Sequence, residues 1–175
     1  MHRGALVSAV VLSASLVSLR CGKNPAGPSA NGGCGTGTSP RGTLTAMINN
    51  QPWTATTIKA TYSNSPQPNT LEIVGDDGCT QKTTIGFILV ATTPTTYTLT
   101  PGVLPPSGLN GSLGISAIGL FQSWNANVAG GSGSVTLNAL SSTATNGSFQ
   151  FTFVPAAVSG ATGNKVVSGN FNLTF

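Results

Sequence analysis

Charge is nearly absent from this chain, with three acidic and seven basic residues in 175. Histidine occurs once, at His2, inside a segment that reads as a cleavable leader, so the mature chain is expected to carry no imidazole. That excludes histidine-based acid–base catalysis, histidine-dependent triads and the usual zinc sites. The three carboxylates, Glu72, Asp76 and Asp77, suit glycoside hydrolysis poorly, because that chemistry places two carboxyl groups on either side of the scissile bond. Asp76-Asp77-Gly78 is read instead as a turn, with weak Ca²⁺ binding as the lesser reading. No motif sets a serine beside Lys59, Lys82 or Lys165. No enzymatic activity, cofactor or metal is therefore expected. Four of the basic residues, Arg3, Arg20, Lys23 and Arg41, precede residue 43, and the other three balance the three carboxylates. A domain without net charge cannot neutralise a run of phosphates, so nucleic acid is excluded as a partner.

Long apolar runs are also missing. The longest uncharged one, Gly4 to Leu19, is shorter than the roughly 20 residues of a spanning helix and follows the basic pair His2-Arg3, as in a secretory signal peptide. Residues 1–20 are read as that leader. It resembles the leaders of bacterial lipoproteins, whose short apolar and small-residue box here comprises Ser18, Leu19, Arg20 and Cys21. The resemblance implies that Cys21 is diacylated and becomes the mature N-terminus. Arg20 departs from the Gly, Ala or Ser usual before that cysteine. Cleavage after Ala30 is the competing reading, with Pro28 against it. Gly22, rather than Asp, follows Cys21, which resembles lipoproteins forwarded to an outer membrane. Residues 21–42, rich in Gly, Pro and Ser, are read as a flexible tether of roughly 25 Å root-mean-square span.

One domain remains, 43–175, large enough to bury about two-thirds of its surface and fold alone. Apolar residues alternate there with Thr, Ser and Asn, and Gly, Pro and Asn turns interrupt at short intervals. Strands are expected at 43–48, 53–62, 70–75, 83–91, 95–100 and 113–128, the last broken near Leu120. Ser134 to Leu140 directs Val135, Leu137 and Ala139 inward, and Gly147 to Val154 does the same with Phe149, Phe151 and Phe153. The closing strand adds Val167, Phe171, Leu173 and Phe175. These last three strands read as consecutive and antiparallel. Ile85 to Ala91, apolar at nearly every position, reads as a central strand covered on both faces. Asp76-Asp77-Gly78 and Gly130-Gly131-Ser132-Gly133 read as hairpin turns. The second also lacks the lysine and helix of a phosphate-binding loop. The expected fold is all-β, a single antiparallel β-sandwich of about nine or ten short strands, with a small closed β-barrel as the alternative.

The segments LTAMINNQPWTA (44–55), TYTL (96–99), GSGSVTLNAL (131–140), NGSFQFTF (146–153) and VVSGNFNLTF (166–175) occur in an order that resembles a family of uncharacterised bacterial lipoprotein domains. That family carries N-G-x-x-W-x-A, G-x-Y-x-L, G-S-V-T-I and G-x-F-x-F segments, and is best known from Bacteroidetes-like bacteria. Asn50 and Thr95 stand where its pattern has Gly, and Asn preserves a turn that needs positive φ. The resemblance implies a fold and a location and supplies no catalytic residues.

With Cys21 committed to lipid in an oxidising compartment, Cys34 and Cys79 form an even pair and are expected to be disulfide-bonded, worth up to about 4 kcal/mol. Trp53 and Tyr97 alternate in phase with apolar neighbours and are expected in the core. Trp124, in the polar context Gln122-Ser123-Trp124-Asn125, is expected to be partly exposed, with Trp124 and Asn125 as candidate ligand-binding residues. The leading expectation is a lipid-anchored extracytoplasmic domain, periplasmic or surface-facing. It would be a non-enzymatic binding or structural accessory of the envelope, partnered by an envelope protein or polysaccharide. A glycan-binding module is the first alternative and a small outer-membrane barrel the second.

Overall fold

The computed structural model describes residues 41–63, 69–103, 108–157 and 159–175. Every regular element among them is a strand: β1 (Gly42–Ile48), β2 (Gln51–Thr54), β3 (Thr57–Ser63), β4 (Thr70–Asp76), β5 (Lys82–Val90), β6 (Thr96–Thr98), β7 (Asn110–Ala117), β8 (Leu120–Asn125), β9 (Ser132–Leu140), β10 (Ala144–Pro155) and β11 (Lys165–Thr174). All pairings are antiparallel and build one sheet in the order β2-β1-β11-β10-β8-β7-β5-β4-β3, with β9 on β10 and β6 on β9 as a branch.

The sheet folds over on itself. One half, β6-β9-β10-β11-β1-β2, faces the other, β8-β7-β5-β4-β3, across a core built by the period-two pattern. The halves are joined where β10 outruns β9: Thr152 still pairs with Ser132, while Val154 and Pro155 pair with Asn125 and Trp124 of β8. A second corner lies between β2 and β3. There the Ala55 amide still donates to Leu44 in the first half (2.9 Å), and the next amide, Thr56, donates to Asp76 in the second (2.8 Å). Strands that change sheet by bending are how such corners are made. This bend divides the expected strand 53–62 into β2 and β3. Since β2 and β3 end the path unpaired to each other, the fold is an open half-barrel, a sandwich hinged along one edge.

Phe87 of β5 sits at the centre. Its ring lies 5.3 Å from that of Phe149, 6.0 Å from Phe151 and 5.7 Å from Phe171, so one aromatic from the second half meets three from the first. Leu44, Ile73, Ile85, Val135, Phe153 and Val167 around them are fully buried. These separations and tilts suit aromatic packing, and each ring removes roughly 150–250 Å² from water. Where rings lie against a strand, side chains vanish: a Cβ on Gly111 would stand 2.8 Å from Phe151, and one on Gly133 only 2.0 Å away.

Three expectations are corrected. Ala139 is exposed, because β9 carries a bulge: Leu137 pairs with Gly147 and Ala139 with Asn146, leaving Asn138 over and reversing the phase beyond it. Gly130–Gly133 is no hairpin, since β8 and β9 do not pair and the loop crosses from one half of the sheet to the other. β5 is covered on one face only over part of its length, with Ile88 and Val90 half-buried rather than buried.

Candidate functional site

The outer face of the first half-sheet carries the residues that alternate with the core. Two adjoining hollows open on it, of about 620 and 660 Å³. Thr45, Thr54, Thr136, Ser148 and Asn170 line the first, Thr96, Thr98 and Thr152 the second, and Ser134, Gln150 and Ser168 border both. No charged residue lines either hollow. The surface offers hydroxyls and amides, groups that both donate and accept hydrogen bonds, beside the apolar side chains of Met47, Pro52 and Val166, a mixture that suits a neutral, hydroxyl-bearing ligand.

Trp124 lies elsewhere and is buried, at 2% exposure, which corrects the expectation that it is partly exposed. Its phase on β8 is inward, and Ala126 just beyond the strand continues it. Its Nε1 donates to the Gly163 carbonyl at 2.8 Å, and the Lys165 ammonium stands 5.1 Å from the ring centroid. The polar neighbours that made it look exposed have local work. Gln122 Nε2 donates to the Gly160 carbonyl (3.2 Å), and Asn125 Oδ1 accepts the Asn127 amide (2.6 Å). The ring therefore holds the β10–β11 loop against β8, with its face turned inward rather than to solvent. Trp53 is buried as expected.

Tyr97 is only half-buried and ties up the β5–β6 loop. Its hydroxyl donates to the Thr93 carbonyl (2.7 Å) and accepts the amides of Thr92 (3.1 Å) and Thr93 (3.2 Å). Desolvation raises the phenol's pKa, but the hydrogen bonds at Thr93 and Thr92 outweigh it and hold the group below its ordinary value.

The acidic cluster is a turn. Asp77 Oδ1 accepts the amides of Cys79 (3.1 Å) and Thr83 (3.0 Å), and Asp76 Oδ1 accepts that of Gly78 (3.0 Å) and stands 3.6 Å from the Lys82 ammonium. Such carboxylate-to-amide bonds close an Asx turn. Among the described residues no three of His, Cys, Asp and Glu gather as a metal site. Cys79 sits in this turn and is not a free thiol. The other cysteines, Cys21 and Cys34, lie outside the described residues, as do the leader and the tether through residue 40.

Asn127 was missed in the sequence. It is buried, accepts the Gly102 amide (2.8 Å) and donates to the Val103 carbonyl (2.9 Å), clamping the loop after β6 to the one after β8. An asparagine among Trp124, Ala126 and Val128 is a signal for such a buried clamp.

No helix among the described residues is long and apolar enough to cross a membrane. The faces also have the opposite polarity to a spanning barrel, which is apolar outside and polar within. No curated protein and no solved structure matches the chain. One family model does, over residues 41–174, a span that starts one residue before β1 and ends with β11. The chain belongs to that family, described as a domain of unknown function (DUF6252).

Proposed function

We propose that the chain is a lipid-anchored, extracytoplasmic binding domain of the bacterial envelope, without enzymatic activity, that takes a neutral polysaccharide on the outer face of its first half-sheet. The observation that carries the reading is the pair of adjoining hollows, lined by hydroxyls and amides interspersed with apolar Met47, Pro52 and Val166 and by no charge. An acidic or basic polymer would meet no counter-charge there, whereas a sugar chain meets donors and acceptors at the spacing of a pleated sheet. This relocates the glycan reading from Trp124 and Asn125 to Ser134, Gln150, Ser168 and their neighbours.

The anchor rests on the leader, with Cys21 acylated and residues 21–42 as the tether. A Cys34–Cys79 disulfide would clip that tether to the turn between β4 and β5. Gly75, just before this turn, lies against Leu44 and Ala55, so the turn stands close to where β1 begins. The eight residue steps from Cys34 to Gly42 can reach about 27 Å. The distance is easily covered.

Mass spectrometry of the mature N-terminal peptide tests the anchor, and an unmodified Cys21 or a start beyond it would overturn that part. For the ligand, the full chain is run on native gels containing neutral envelope polysaccharide, beside Gln150→Lys and Ser168→Lys. Retardation of the parent that both variants lose is expected. Equal migration of all three with and without polysaccharide would refute the binding face.

A further inference from the structure

The β7–β8 hairpin ends in solvent-exposed apolar side chains. Ile118 is fully exposed and Phe121 is 66% exposed. The hairpin overruns its neighbour: the last rung with β5 is Lys82–Ser116, and the pair Ala117–Leu120 stands beyond it, closed by Ile118 and Gly119. Gly119 has φ +75° and open space where a Cβ would be, so the turn is free-standing. Isolated exposed apolar residues are ordinary, and Met47, Val128 and Val166 are exposed elsewhere, but Ile118 in the turn and Phe121 on the adjoining rung of β8 are the two most exposed large apolar side chains among the described residues and share one protruding hairpin end.

What covers it follows from its position. Lys82 pairs with Ser116, so the hairpin shares an end of the second half-sheet with the turn that holds Cys79. The charges near that end, Asp76, Asp77, Lys82 and Lys165, cancel in sign and would not repel an anionic surface. Twelve residues separate Cys21 from Cys34. A flexible segment of that length spans roughly 20 Å. If Cys34 is tied to Cys79, the acyl chains leave the domain beside the hairpin.

We infer that the β7–β8 tip is a membrane-contacting element, seating Ile118 and Phe121 among the lipid headgroups of the bilayer that holds the anchor. This rests on the anchored reading of Cys21. A lipid tether alone lets a domain tumble. Apolar side chains that dip into the interface add a second, reversible contact and fix which face looks outward. The hollowed face of the first half-sheet would then keep one orientation to the membrane.

The test uses Ile118→Trp in the full, lipidated chain, with Ser142→Trp in the exposed β9–β10 turn as the control site. Trp53 and Trp124 are both buried and supply a background that lipid does not alter. The proteins are reconstituted into phosphatidylethanolamine–phosphatidylglycerol vesicles with and without brominated acyl chains. Both variants should float with the vesicles, while only Ile118→Trp emission moves to shorter wavelength and is quenched by bromine. Flotation with equal, weak quenching at both sites would overturn the hairpin contact and leave the anchor standing. Shorter-wavelength emission from Ile118→Trp without bromine quenching would place a second copy on the tip, also against the proposal. Failure to float would remove the anchor, and the inference with it.

Discussion

Replacing Trp124 separates a structural tryptophan from a ligand platform. The indole is almost wholly buried between β8 and the β10–β11 loop. A ring of this size removes roughly 200 Å² from water, worth about 5 kcal/mol at the usual area coefficient. Measured Trp→Ala losses in cores are about 3–5 kcal/mol. Trp124→Ala should therefore cost about 4 kcal/mol, and for a domain of this length lower Tm by roughly 12–20 °C. Trp124→Phe keeps most of the burial but leaves the Gly163 carbonyl without its 2.8 Å donor and gives Lys165 a weaker π face. Its cost should be about 1–2 kcal/mol. Urea unfolding followed by far-ultraviolet circular dichroism measures both, and retention on polysaccharide gels is read in parallel. A Trp124→Ala protein within about 1 kcal/mol of the parent, but unable to bind polysaccharide, would refute the burial argument and restore Trp124 as a platform.

Three further outcomes are expected. Gly133→Ala would set a methyl 2.0 Å from Phe151 Cδ1, so it should destabilise by about 1–3 kcal/mol, and Phe151→Leu should recover part of the loss in a double-mutant cycle. Asn50 turns the β1–β2 hairpin at φ +65°, so Asn50→Gly should be neutral or slightly stabilising, whereas Asn50→Val should cost about 1–2 kcal/mol in thermal unfolding. The depressed Tyr97 phenol favours the ionised form in the folded state. Its contribution is absent below the folded pKa and complete above the unfolded value near 10, so the stability gap between the parent and Tyr97→Phe should widen as pH rises through that window. Ultraviolet absorbance titration should show one tyrosine ionising early, and that step should vanish in Tyr97→Phe.

The strands were legible wherever burial alternates strictly. Phe149, Phe151 and Phe153 announce β10, and Val167, Phe171 and Leu173 announce β11, because a half-buried pleat admits no other pattern. The corners were not legible. Nothing local marks Ala55-Thr56 as the place where the chain leaves one half of the sheet, since the bend is decided by which strand waits on either side. Asn138 bulges for the same reason, and only its partner β10 shows that Ala139 falls out of phase. Trp124 was misjudged because Gln122 and Asn125 looked like solvent-facing neighbours, when each had a backbone partner in a distant loop or nearby turn. The candidate binding face was half legible. Its Ser and Thr composition is the solvent phase of the same alternation, but the hollows arise from the curl of the sheet, and curl is a property of many strands together.

The first strand and the last are neighbours: Gly42 pairs with Leu173 and Ile48 with Val167, across more than a hundred residues of intervening chain. Between them they supply the ladder that flanks β10, so the aromatic core cannot close until the C-terminal strand has been delivered. Closing so long a loop is entropically slow and comes late. A chain crossing a membrane N-terminus first would thus remain threadable during transit and lock only once its tail had emerged. Deleting β11 should yield a polypeptide that never closes its core and is degraded, wherever the chain resides.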